Sequence, residues 1–449
     1  MAQGYKDGTP YIPEPNSAMD QADFSEGHLE CTVTKPQKEN DGTKDAYISY
    51  LVTTDTDFKT FQKPHCTVRR RFTDFLFLYK SLCREYPASA VPPLPDKQRM
   101  EYVRGDRFGP DFTMRRCHSL HRYIRRLTRH PELRRAALLL LFLESHDWNV
   151  VMNGRQQGRT SMSSPGVVAA GESTTGVTGV LDTFTDSFLN AFTKVHKTDP
   201  RFVKVKERSD KFDDDLNHVG KIVARVGRRE SDLETDYAEL AGQFQRLVTL
   251  EPGVGGELTN FAAGAEQMSG EVRKLKEHTE RDYLGSLKDM EAYVSSVRAL
   301  LKTREQKQLD FEGLTDYLTK AAQDRDTLAS QHGHAGLGAS GFLRSKIEDV
   351  RGVDHEQSRR DRVRKLELQI ERLTREVESA KLTSEMFDER VVKEVADFEA
   401  IKTAEFKETL SGLADAHIDF FKGTIGMWEQ FVMDMEGDGE RGGEGAAAA

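Results

Sequence analysis

The sequence predicts an α+β fold in two parts. A small early module combines a three-stranded antiparallel sheet with helices, and three long helices then fold back on one another as an antiparallel coiled coil. Three observations predict it. Runs of β-type residues separated by turn signals come first, within residues 24–148. From Phe212, apolar residues then step by four and three through Leu216, Val219, Val223, Val226, Leu233, Tyr237, Leu240, Phe244 and Leu247, a sustained heptad repeat interrupted by Glu230. The charge divides the same way: Phe61 to Ala137 holds 18 Lys/Arg against 7 Asp/Glu, so of a formal −9 the rest of the chain carries about −20.

Residues 1–23 are polar with Pro, Gly and acids, and read as a disordered start with no signal peptide. Leu29 to Lys35 and Ala46 to Thr54 read as strands, with the turn signal Asn40-Asp41-Gly42 between them. Cys66 to Arg71 is a third strand, followed by a helix from Phe75 to Tyr86 that Thr73-Asp74 would cap. Its face is Phe75, Leu78 and Leu82. Proline density in Val91-Pro92-Pro93-Leu94-Pro95 forces a stiff extended strap that ends at Lys97.

The loop after it mixes Met100, Tyr102 and Val103 with arginines, a composition that suits either a bilayer interface or a tuck into the core. A helix from about Asp111 turns Leu120, Tyr123, Ile124 and Leu127 inward. Arg122, Arg125, Arg126 and Arg129 lie mostly off that face and read as a solvated, anion-attracting surface. Pro131 ends this helix, and Ala136 to Phe142 is a buried helical stretch. The four cysteines lack paired spacing, so they read as reduced thiols rather than a zinc site.

Residues 149–179, rich in Gly, Ser and Thr, read as a flexible linker. Residues 180–198 read as a short amphipathic helix whose apolar face is Leu181, Phe184, Phe188 and Phe192. That face would either enter a leaflet or dock on the helices that follow. Residues 200–435 carry the long helices: one from Phe202 to Leu250, a second from about Leu258 to Ala329, and a third extending to about Phe431. The first would be about 70 Å long at about 1.5 Å per residue. Residues 436–449 read as a disordered tail. No apolar run is long enough to span a bilayer.

The chemistry concentrates at Arg69-Arg70-Arg71-Phe72-Thr73-Asp74-Phe75. Guanidinium forks, a flat ring and a helix N-terminus within a few ångströms suit a phosphorylated ring such as an inositol phosphate. The same seven residues also read as a solvated strand end.

Arg-Arg-Phe-Thr-Asp-Phe, then Pro-x-x-Pro-x-Lys, then a helix bearing Arg115-Arg116 resembles the phox-homology (PX) domain over about residues 24–148. The resemblance implies phosphatidylinositol 3-phosphate as ligand. It would place Arg71 on the 3-phosphate, Phe72 under the ring where Tyr is common, Thr73 beside the same phosphate, Lys97 on the 1-phosphate and Arg116 on the 4- and 5-hydroxyls. Arg116 is favoured over Arg115 because it lies four residues before Leu120.

PX, an amphipathic helix and three long helices together resemble the sorting nexins with a BAR (membrane-curvature) domain. The stretch from Leu120-His121-Arg122-Tyr123 to Trp148-Asn149 narrows this to the fungal, autophagy-related members. The resemblance implies a dimer, with itself or with another sorting nexin, whose basic residues meet anionic lipid. Lys221, Arg225, Arg228 and Arg229, and Arg359, Arg360, Arg362, Arg364 and Lys365, are the basic candidates, although with Glu and Asp interleaved throughout most of them read as a solvated coiled-coil face. It also implies a cytosolic protein peripheral on endosomes and on preautophagosomal membrane, handling sorted cargo proteins for retrieval and autophagy. No cofactor or metal is expected. An enzyme acting on phosphoinositides is the alternative, but there is no Cys-x5-Arg loop, G-x-S-x-G elbow or GxxxxGK[ST] loop. Nucleic-acid binding has only the arginine density behind it, without a zinc finger or helix-turn-helix.

Overall fold

The computed structural model describes residues 27–95, 108–161, 199–330 and 355–446. They fall into two compact units. One holds residues 27–95, 108–161, 207–297 and 395–446; the other holds 199–206, 298–330 and 355–394.

In the first unit, strands β1 (Leu29–Glu39), β2 (Tyr47–Thr56) and β3 (His65–Arg71) form an antiparallel sheet in that order. The β1–β2 turn puts Asn40 at φ 53° and Gly42 at φ 79°, left-handed values that these two residue types tolerate. Asp41 Oδ1 accepts from the Gly42 N–H at 2.8 Å and closes the turn. Against the sheet pack α1 (Phe72–Glu85), α2 (Pro110–Arg129) and α3 (Ala137–Glu144). Phe75 centres the core: its ring meets Tyr50 at 6.5 Å, Tyr123 at 6.4 Å and Phe142 at 4.9 Å, all edge-on. The expected inward faces hold, since Phe75, Leu78 and Leu82 on α1 and Leu120, Tyr123, Ile124 and Leu127 on α2 are all buried. The four cysteines are free, and burial pushes the Cys31 thiol up to about 12.

Three boundaries differ from the sequence reading. α1 begins at Phe72 rather than Phe75, because the cap works in reverse. Asp74 sits at the third helical position, and its carboxylate accepts from the Arg71 N–H at 2.8 Å. Where a linker was expected from Asn149, α4 (Trp148–Ser161) is helical. Trp148 nucleates it by packing edge-on against Phe142 at 5.1 Å. The last helix runs on to Ala446, past the expected end near Phe431 and into the stretch expected to be a disordered tail, since extending a formed helix costs far less than starting one.

The long helices are α5 (Pro200–Leu250), α6 (Gly255–His278), α7 (Gly285–Ser330) and α8 (His355–Ala446). A single π turn, Thr279–Leu284, joins α6 to α7. Within the first unit, Phe212 meets Phe406 at 5.9 Å. Phe244 meets Phe261 at 4.4 Å, and Phe261 meets Phe431 at 5.9 Å. Asn217 Nδ2 donates to Glu291 at 2.8 Å. Partners of α5 thus rise in number along α8 and fall along α6–α7, so three segments run alternately up and down, as expected. Met268, Val272 and Met427 form the dry centre, with Tyr237, Phe420 and Trp428 around it. In the second unit, the polar step at Arg304 is buried and closed. Its Nε donates to Asp388 at 2.6 Å, and its guanidinium lies 4.1 Å from the Phe202 ring.

Candidate phosphoinositide site

The candidate site forms where β3 turns into α1. Strand alternation sends Arg69 and Arg71 to one face of β3 and Arg70 to the other. Arg70 is therefore a structural residue. It is 3% exposed, donates Nε to the Phe142 carbonyl at 3.0 Å and also donates to the Ser145 carbonyl. It lies 5.3 Å from the rings of both Phe142 and Trp148. Burial lowers its guanidinium to about 10, a value that still leaves it charged at neutral pH.

Arg71 is 44% exposed at the mouth of α1, tethered by Nε to Asp74 Oδ1 at 3.3 Å. Burial pushes the Asp74 carboxyl up, against the pull of Arg71. The tether aims the guanidinium without closing it off, beside the Tyr47 ring at 5.9 Å. Phe72 and Thr73 occupy the first turn of α1, where unpaired backbone N–H groups collect.

Arg116 reaches this corner from α2. Its guanidinium lies 4.4 Å from the Phe72 ring and 4.1 Å from the Phe112 ring, and the residue is 8% exposed. Arg115 is exposed on another side of the helix. Arg71, Phe72, Thr73 and Arg116 are thus brought together as one cationic and aromatic corner. Lys97, the loop residues Met100, Tyr102 and Val103, and Leu181, Phe184, Phe188 and Phe192 lie outside the described residues.

Sequence reasoning missed Tyr47 and Phe112. Tyr47 lies two residues before Ser49, the cross-strand partner of Arg71, and Phe112 lies four before Arg116. Both were findable from register and helical spacing.

The arginines read as a solvated surface are instead committed to contacts within the same unit. Arg126, 2% exposed, grips Glu405 of α8 with Nε at 2.8 Å and Nη2 at 2.6 Å, while Nη1 donates to the Asp289 carbonyl at 2.8 Å. Ser286 Oγ donates to the same carboxylate at 3.1 Å. Burial would raise the Glu405 carboxyl, but the charge and hydrogen bonds of Arg126 outweigh it and hold it down. Arg122 Nε donates to Asp289 at 2.7 Å. Arg125 and Arg129 both donate to Glu408. His118 and His278 flank Asp282 at 2.7 and 3.3 Å and depress its carboxyl despite its burial. The sequence lacked the signal for this, because the partners lie on helices far along the chain.

The PX domain family model matches residues 58–146. Sorting nexin-4 of Aspergillus fumigatus is 63% identical over 94% of this chain and 84% of its own. Sorting nexin-4 of Neurospora crassa is 59% identical over 97% and 90%. That of Cryptococcus neoformans is 37% identical over 90% and 80%. Among solved structures, the SNX-BAR Mvp1 tetramer aligns over 90% of this chain and 99% of that one, at 17% identity and a TM-score of 0.45.

Proposed function

Because this chain belongs to the sorting nexins of the sorting nexin-4 family, we propose that it recognises phosphatidylinositol 3-phosphate through Arg71, Phe72, Thr73, Lys97 and Arg116, and binds curved endosomal membrane as a dimer. Membership itself makes it a non-enzymatic, membrane-binding sorting adaptor. The headgroup reading rests on one observation. Arg116 is carried by α2 onto the Phe72 ring, next to an exposed Arg71 at the N-terminus of α1. A phosphate held there meets a guanidinium fork and free backbone donors, and the inositol ring has an aromatic floor.

The modules run over residues 24–148 and 200–435, with Met100, Tyr102 and Val103 as a membrane-entering loop and the 180–198 amphipathic helix either entering the leaflet or docking on the long helices. Dimerisation, with a copy of itself or with another sorting nexin, is supported by the apolar seam of α5. Val219, Val226, Leu233, Leu240 and Leu247 recur every seven residues, each between 38% and 43% exposed. A heptad face left that open has room for a second chain. Pairing doubles the headgroup sites and makes a weak single contact avid. Cargo retrieval from endosomes and autophagy at preautophagosomal membranes complete the reading.

Co-sedimentation with vesicles that contain or lack phosphatidylinositol 3-phosphate tests it. Pelleting should depend on the lipid and disappear in Arg71→Ala while the protein keeps its helicity. Lipid-dependent pelleting that survives Arg71→Ala would remove Arg71 from the site.

A further inference from the structure

α2 serves two partners from its two ends. Near its start Arg116 faces the Phe72 ring, and ten residues later Arg126 is locked to Glu405 and to the Asp289 carbonyl. The two arginines are about 15 Å apart along one helix. Between them Leu120, Tyr123 and Ile124 are fully buried in the core that also holds Phe75 of α1. The segment from the headgroup corner to the clamp therefore moves as one body. On the far side, the Arg122 guanidinium lies against Gly285 at the start of α7, with Nη2 2.9 Å from where a Cβ would stand.

Resting on the headgroup reading above, we propose that Arg126, held by Glu405, is a positioning residue for membrane binding. It fixes the direction in which the headgroup site faces relative to residues 207–297 and 395–446. A module on a loose tether meets a lipid at any angle, and little of its binding adds to that of the helices. Held at one angle, the headgroup site and the helical surface engage the same bilayer in a single event. The bidentate fork, the third bond to a backbone carbonyl and the Ser286 hydroxyl give the joint a single geometry, which one exposed ion pair could not.

The test uses Glu405→Gln in the full chain, with three readings. Spin labels at Lys80→Cys and Lys407→Cys, both exposed positions, report the angle between α1 and α8. A short-chain phosphatidylinositol 3-phosphate below its micelle threshold reports the headgroup site alone. Phosphatidylcholine–phosphatidylserine vesicles carrying the same lipid report the joint event. The expected result is a broadened distance distribution, short-chain affinity within about twofold of wild type, and vesicle affinity lowered about tenfold or more. Glu405→Asp, which keeps the carboxylate, should recover most of the vesicle affinity.

Unchanged vesicle affinity alongside broadened distances would overturn the proposal, as would distances that stay sharp. Should Glu405→Gln fail to fold, Arg126→Lys, which keeps a cation beside Glu405 but loses the two-pronged fork and the geometry of the third bond, takes its place in the same readings. If wild type ignores the short-chain lipid, the headgroup reading falls. The positioning role is then decided on phosphatidylserine vesicles without phosphoinositide, where a loss of affinity in Glu405→Gln supports it and no change overturns it.

Discussion

The two ends of α2 put the same residue type to opposite uses. Arg116 is sandwiched between the Phe72 and Phe112 rings, its charge turned toward a corner shared with the exposed Arg71. Arg126 is sealed between Glu405 and the Asp289 carbonyl, its charge fully answered by the protein. Aromatic faces meet a guanidinium across its plane, away from its in-plane donors. A carboxylate fork consumes those donors. One end thus rests its guanidinium on aromatic rings, and the other locks it to a carboxylate.

The strongest way to break this contrast is Arg126→Leu. Removing the cation strands the Glu405 carboxylate in the interior, which costs about 3–5 kcal/mol. Urea denaturation should show that loss. A change below about 1 kcal/mol would mean that Glu405 relaxes to water and the clamp is no clamp.

The middle of the helix supplies the second test. His121 Nδ1 lies 3.2 Å from the Val33 N–H and accepts from it, so β1 needs the neutral imidazole. Burial, reinforced by Arg125 and Arg122, pushes that group down to about 4. Below an ordinary value near 6.5, the unfolded chain takes up a proton that the folded chain refuses. The stabilisation is therefore complete above about pH 6.5 and lost as pH falls toward 4, by about 3 kcal/mol in all. His121→Gln keeps an acceptor without the titration, so its stability curve should stay flatter over that range. Parallel acid limbs in the two proteins would count against the assignment.

The smallest effect is expected of Arg129→Ala. Glu408 is 42% exposed and keeps Arg125 as a partner, so the loss should stay under about 1 kcal/mol. A larger loss would extend the clamp to the outer arginines.

These contrasts mark what the sequence could carry. The strands, the inward faces of α1 and α2 and the up-and-down helices were legible because each is a local period of two, three or four residues. Arg70 was legible too, since Val68 and Arg70 share a face of β3 by simple alternation. Yet the run of three arginines read as one patch. The cap at Asp74 was seen with its direction reversed, because Thr-Asp ahead of an apolar run and Asp at the third helical position share one spacing. Arg126 could not be read. Its place beside Tyr123 and Leu127 sets a direction, but what covers that side arrives 279 positions later in Glu405.

The π turn at Thr279–Leu284 has a further consequence for the coiled coil. Met268, Val272, Leu275 and Thr279 are buried at steps of four, three and four; the next buried residue is Leu284, a step of five, and the apolar stripe goes on through Leu287 and Met290, with Ser286 buried beside it. One wide turn absorbs the surplus residue and keeps the stripe from winding off the bundle. Deleting one residue there would leave an unbroken α-helix with its stripe still in phase, since the step of five becomes a step of four. The surplus residue is thus taken up within one turn instead of being spread along the helix as added supercoil.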